Sequence, residues 1–218
     1  MPLLPYCVFS TGLALPQIVT GVQESPVLHL DEAGLSVLYS EINALPNDPG
    51  ELAQAAMSFQ STVQQAFGAG IVIAFRFPTQ LANADELRSH LREHAERYKT
   101  ALMQLNGMAQ MEVRLTQLAG ASTTPTTSPA SGTEYLKARQ AQSQGLTSAI
   151  EALKQGVGTT VHEWRTRDSG GVTRLYALIP HDKAAEFKRE MGFVRLAGGM
   201  RAVISGPWPP SEFLPEGS

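Results

Sequence analysis

The residues best spaced for chemistry are His90, Glu93 and His94 in the string "HLREH". It fits an H-x-x-E-H pattern, in which two imidazoles one helical turn apart share a face and hold zinc while the carboxylate handles protons. A metal-dependent hydrolase on this helix is therefore one reading of the chain. Such a site needs a dry, closed wall, and the surrounding pattern does not supply one. Leu87, Leu91, Ala95, Tyr98, Leu102 and Leu105 recur at three and four residues as the apolar stripe. That stripe leaves His94 at its edge, His90 about a quarter-turn away and Glu93 on the polar side. The simpler account is a solvated face of a charged helix. Cys7 lies in an apolar strand-like run with no motif around it, and reads as a small buried thiol. The glycines of "QGVGTT" and "LAGGMR" lack both a phosphate-cradling lysine and a dinucleotide fingerprint, and read as turns. His162, Glu163, His181 and Asp182 are too scattered to define a site. The residues nominate no catalytic group, metal or cofactor.

The elements that would position any site follow from the periodicity. A long amphipathic helix is expected over 84–106, with Asn83 capping its start, Glu86 three residues on and Gly107 closing its end. Before it, "AGIVIAFRF" (69–77) reads as a nearly continuous strand and residues 51–67 as a weaker helix. "PYCVFS", "VLHL" and "LSVLYSEI" supply three further strands in the first 42 residues. After the long helix, "QMEVRLTQL" (110–118) alternates Met111, Val113 and Leu115 against Glu112, Arg114 and Thr116, as a half-buried strand does. A Ser/Thr/Pro-rich run, 120–132, reads as a mobile loop. Residues 133–155 then carry Tyr135, Ala138, Leu146, Ala149, Ile150 and Leu153 on one helical face. Two strands flank the glycine turn "RDSGG" (167–171), and a helix from 183 to 191 leads into "GFVRL" and "MRAVISG".

This order predicts an α+β protein of two domains. Residues 1–107 form an N-terminal mixed domain that includes the long helix. Residues 108–218 form a ferredoxin-like βαββαβ domain with the loop at 120–132 and a Trp/Pro tail at 206–218. The bulk properties narrow the partners. Lys and Arg number 17 against 20 Asp and Glu, a formal charge of -3, which leaves no excess cation for nucleic-acid phosphates or an anionic membrane. No apolar run approaches the ~18 residues of a membrane span. One cysteine cannot form an internal disulfide, and "MPLLPYCVFSTG" lacks the basic start of a signal peptide. With 43% hydrophobic residues and a mean hydropathy of -0.10, the expectation is an ordinary soluble, cytoplasmic protein.

One stretch resists this bland description. "ISGPWPPSEFLPEGS" boxes Trp208 between Pro207, Pro209 and Pro210 close to the end of the chain, where sequences are usually polar and loose. Fixed backbone angles around a large aromatic make an anchor. Trp208 either folds back over the core or forms a rigid contact for a partner, with Phe213 and Leu214 beyond it adding apolar surface.

Four stretches resemble the gas vesicle protein F/L family (GvpF/GvpL). "SGPWPPSEF" (205–213) is similar to the family's C-terminal Gly-Pro-Trp-Pro-Pro signature. "IVIAFRFPTQLANADELRSHL" (71–91) looks like its apolar strand and Arg-Phe-Gly-Thr before a long helix, carried by Arg76, Phe77 and Thr79. "NGMAQMEVRL" (106–115) looks like the strand after that helix, and "GTEYLKAR" (132–139) like its Gly-x-x-Tyr-Leu-x-x-Arg helix start. The chain departs from the family pattern at Ala74 for a proline, Pro78 for a glycine, Ser211 and Glu212 for a tyrosine, and Phe59 for a histidine. The resemblance implies an N-terminal α+β domain, a C-terminal modified ferredoxin-like domain and a non-enzymatic accessory role in building gas vesicles. It implies a cytoplasmic, vesicle-associated protein without a cofactor, whose partners are the small hydrophobic shell protein and other gas vesicle accessory proteins. On that reading Arg76, Phe77, Trp208 and Phe213 shape the partner surface, Trp208 by pinning the tail into a groove between the domains. A generic interaction module unrelated to gas vesicles stands as the alternative alongside the hydrolase.

Overall fold

The strand β1 (Leu3–Ser10) is buried at seven of its eight positions, the pattern of a strand covered on both faces. It pairs antiparallel with β3 (Leu35–Glu41) on one side and with the two-residue β4 (Ile73–Ala74) on the other. With β2 (Leu28–Glu32) on the far side of β3, the first sheet runs β2-β3-β1-β4. The β2–β3 turn uses Ala33 and Gly34, at φ 53° and 78°, the two left-handed positions of a tight hairpin. Leu3 and Val8 face the same core although five residues separate them, an odd interval that a regular strand would split between faces. A bulge between Pro5 and Cys7 restores the parity. The structure, a computed structural model, describes residues 1–117, 132–157, 160–169, 172–196 and 199–215.

Helices cover both faces of this sheet. On one, Leu3, Val8, Leu35 and Val37 pack with Leu87, Leu91 and Leu102 from α2 (Ala84–Glu93) and α3 (Ala95–Gln104). On the other lies α1 (Pro49–Phe67), whose Phe59 meets Tyr6 of β1 at a ring-centroid distance of 5.3 Å. Asp48 caps α1 through the Gly50 and Glu51 amides, with Pro49 at the first helical position.

The expected single helix over 84–106 is thus two helices. Asn83 caps the first through the Asp85 and Glu86 amides, as the sequence predicts, but His94 leaves helical geometry at φ -107° and ψ 9°. No Pro or Gly causes the break. It falls where His90, His94 and Tyr98 share one face, with His90 and His94 rings 4.5 Å apart at 73°, and on that face the ladder continues across it, the His94 amide donating to the His90 carbonyl at 3.1 Å and the Tyr98 amide to the His94 carbonyl at 3.0 Å. The expected strand over 69–77 also contracts, to Ile73–Ala74. Opposite it stand the β1 bulge and Pro5, which has no N–H to continue a ladder. Pairing resumes only at the Leu3–Leu81 bridge, so residues 76–80 make an excursion between the two.

The second sheet runs β6-β7-β5-β8, built from β5 (Met108–Gln117), β6 (Glu163–Ser169), β7 (Val172–Pro180) and β8 (Met200–Trp208). The helices α4 (Gly132–Gly156) and α5 (Ala184–Phe193) fall between β5 and β6 and between β7 and β8, and pack on each other. Met111, Val113 and Leu115 are all buried, as the alternation predicts, and Ala149 and Leu153 of α4 join the core. β6 and β7 pair in register from Glu163–Leu178 to Ser169–Val172. "GFVRL" forms no strand: Gly192 and Phe193 end α5, and 194–196 have no regular structure, because the α5 periodicity continues through Met191 before Val194 leaves it. The loop expected at 120–132 lies, apart from Gly132, outside the described residues. So do Gly170 and Gly171 of the hairpin turn, and the side chains of Tyr135, Leu136 and Arg139.

The chain groups into two compact units, 1–108 with 208–218, and 109–207. The tail that the sequence assigns to the C-terminal domain therefore belongs, from Trp208 onward, with the first unit.

Candidate functional site

The excursion over 76–80 is what presents Arg76 and Phe77. A turn closes it, the Thr79 amide donating to the Arg76 carbonyl at 2.8 Å. Arg76 is exposed and Phe77 half-buried, with its ring 5.3 Å from Phe59. Tyr6, Phe59 and Phe77 thus form an aromatic row on the inner side of α1. On the outer side of the same helix, Trp208 is half-buried and lines an open groove of about 400 Å³ with Met57, Gln60, Ser61, Gln64 and Gln65. Phe77 and Trp208 are therefore gathered on opposite sides of α1.

Part of the described tail is buried. Pro209 and Pro210 are buried, and Ser211–Phe213 makes one tight turn, its Phe213 amide donating to the Pro210 carbonyl at 3.0 Å. Phe213 is 5% exposed, and Leu214 packs against the cluster shared by the sheet, α2 and α3. Of the four residues named from the sequence, Phe213 anchors the tail, Phe77 braces α1, and Arg76 and Trp208 reach the surface.

The histidine pair has a structural role. His90 Nε2 and the Tyr98 hydroxyl share a hydrogen bond of 2.9 Å, and Phe75 lies 5.5 Å from the His90 ring. Among the described residues no three His, Cys, Asp or Glu side chains gather as a cation cage would require. Partial burial, followed by the neighbouring His94, holds the His90 pKa below the ordinary value of 6.5. The sign of the consequence is fixed by linkage: the unfolded chain binds the proton more readily, so stability is complete above 6.5 and falls as pH drops through that value toward the folded pKa. Chemical denaturation between neutral pH and about pH 5 is expected to show this loss, and His90→Gln to reduce it. An equal pH slope in both proteins would exclude His90 as its source.

A second polar cluster was invisible in the sequence. The Val22 amide donates to the buried Tyr6 hydroxyl at 2.8 Å, which in turn donates to Ser40 Oγ at 3.0 Å. Ser40 then donates to the Pro26 carbonyl at 2.8 Å. This network ties the 11–27 segment to the sheet, and a Cβ at Gly21 would stand 2.0 Å from the Tyr6 oxygen, so only glycine fits there. Its one local signal is the glycine itself; the partners are too far apart in sequence to be read together. Cys7 is fully buried, and desolvation pushes its thiol up to about 12, which leaves no thiolate for chemistry near neutral pH.

A two-unit α+β chain with an aromatic-anchored tail is the class that these features define. The sequence matches the family model for the gas vesicle synthesis protein GvpL/GvpF over residues 3–215, and the chain belongs to that family. Its fold is similar to the crystal structure of gas vesicle protein GvpF from Anabaena sp. PCC7120, at a TM-score of 0.77 and 16% identity over 98% of this chain and 96% of that one. The crystal structure of GvpF from Microcystis aeruginosa is similar at 0.77 and 14% identity, over 98% and 99%. No curated protein matches the sequence significantly. Among the described residues no helix is long and apolar enough to cross a membrane.

Proposed function

We propose that this chain is a non-enzymatic accessory factor of gas vesicle assembly, working in the cytoplasm and at the vesicle, where it holds the hydrophobic shell protein and meets other accessory proteins. The observation that carries the reading is the family match from residue 3 to residue 215, which supports a role in gas vesicle synthesis for the whole chain rather than for one module. The physical requirement is plain. Shell subunits awaiting assembly expose apolar surface that aggregates unless a partner covers it. The surface offered here is α1 and its surroundings, with Trp208 as aromatic contact on its outer side, Arg76 in the exposed excursion that Phe77 joins to the inner side, Phe77 bracing the helix and Phe213 fixing the tail. The second unit is read as a ferredoxin-like domain from residue 108, on its βαββαβ order and its β6-β7-β5-β8 sheet, with residues 1–107 as the N-terminal domain that the tail rejoins.

The direct test is a pull-down of tagged full-length protein against the shell protein encoded in the same organism, with an unrelated hydrophobic peptide as control. Selective capture of the shell protein is expected. Equal capture of the control peptide, or of neither, would reject the reading.

A further inference from the structure

The two helix layers of the first unit differ in charge. Residues 84–104, which form α2 and α3, hold eight Asp, Glu, Arg and Lys residues, whereas α1 holds one, Glu51 in its first turn, and residues 52–75 hold none, in a chain that is 17% charged. Residues 2–23 also hold none, and the Val22–Glu24 turn that packs on α1 adds Glu24 as its one charge. Burial does not explain the gap, since Gln54, Met57, Gln60, Ser61 and Gln65 on α1 are exposed and Met57 is 65% exposed. A helix on a protein surface ordinarily turns charged residues to water. Depletion of charge around an exposed Met and a half-buried Trp is instead the composition of an interface centre.

We propose that the outer face of α1, with Trp208 at its edge, docks an uncharged, apolar segment of the gas vesicle shell protein; this rests on the assembly reading above. Charge matching selects the occupant. A partner strip carrying Lys, Arg, Asp or Glu would lose its hydration in the groove and find no counter-charge among Met57, Gln60, Ser61, Gln64, Gln65 and Trp208 that line it. A wall that keeps water out of a gas space must be apolar on the gas side, so its free subunits carry the uncharged surface that α1 can cover. Met57 and Trp208 supply adaptable apolar contact, and the glutamine amides and Ser61 hydroxyl can bond the backbone of an uncharged segment. The charged α2–α3 layer stays in water.

The test uses full-length protein and the co-expressed shell protein. Met57→Lys and Gln60→Glu put a charge at exposed positions without disturbing the core, and unchanged thermal unfolding verifies that. Each is expected to lower capture of the shell protein at least about ten-fold, the effect of leaving one charge unpaired in an interface, while Gln104→Lys on α3 leaves it unchanged. If the wild type captures the shell protein and both α1 variants do so equally, the docking face is wrong and the assembly reading survives. No capture by the wild type overturns both. A change in oligomeric state by light scattering with capture intact assigns the face to a second copy of this chain, and overturns the shell protein as its occupant.

Discussion

Phe59→Ala is expected to destabilise the first unit by about 3–5 kcal/mol, the cost of emptying a buried aromatic site. Phe59 is 6% exposed and stands between two rings, Tyr6 and Phe77, each 5.3 Å away. Its loss opens a cavity under α1 and at once removes the brace from Phe77, so the sheet side and the excursion at 76–80 loosen together. Aromatic pairs contribute about 0.5–1.5 kcal/mol beyond area, which places the change toward the upper end of that range. Urea denaturation followed by fluorescence of Trp208 in a Trp164→Phe background reads the effect where it matters, because Trp208 lines the groove on the outer side of α1. A loss below about 1 kcal/mol, the size of an ordinary surface change, would show that the aromatic row does not hold α1.

Gly206→Ala comes next in size. Gly206 has φ +115°, and an added Cβ would lie 2.8 Å from the Gln110 carbonyl oxygen and 3.0 Å from Met111 Sδ. Backbone strain at such a φ costs about 1–3 kcal/mol, and forcing side-chain volume against a fixed carbonyl adds about 1–3 kcal/mol. Gly107 supplies the internal comparison, with φ +71° and nothing within 4 Å of a Cβ, so Gly107→Ala carries the strain alone. The melting temperature is expected to fall clearly further for Gly206→Ala than for Gly107→Ala. Equal shifts would mean that the β5–β8 packing yields freely to the extra methyl.

Much of the architecture was legible because it is local. The Met111, Val113, Leu115 alternation marks β5, the Asn83 cap marks the start of α2, and the helix between two strands followed by a hairpin and a second helix gives the order of the second unit. What failed to show was set by distant residues. The strand over 69–77 shrank because Pro5 and its bulge, some seventy residues earlier, end the pairing. The helix over 84–106 is broken by the single residue His94 at φ -107° and ψ 9°, with no Pro or Gly to mark the place, which a count of apolar positions does not register. The tail joined the first unit because Trp208 meets α1, and nothing in "GPWPP" names the surface it rests on. For the candidate site, the tryptophan and its prolines announced an anchor, and Arg76 and Phe77 came only through likeness to the family. The Tyr6, Ser40 and Val22 network needed the fold before it could be seen, as did the uncharged outer face of α1.

The measurement that bears most directly on the role in gas vesicle synthesis is removal of the gene encoding this chain from its own organism, with vesicles counted by electron microscopy and buoyancy followed in the same cultures. An assembly factor predicts cells that lack vesicles or hold few, while shell protein is still made and goes to aggregates, with recovery when the gene is restored. Normal vesicles in normal number would contradict the account.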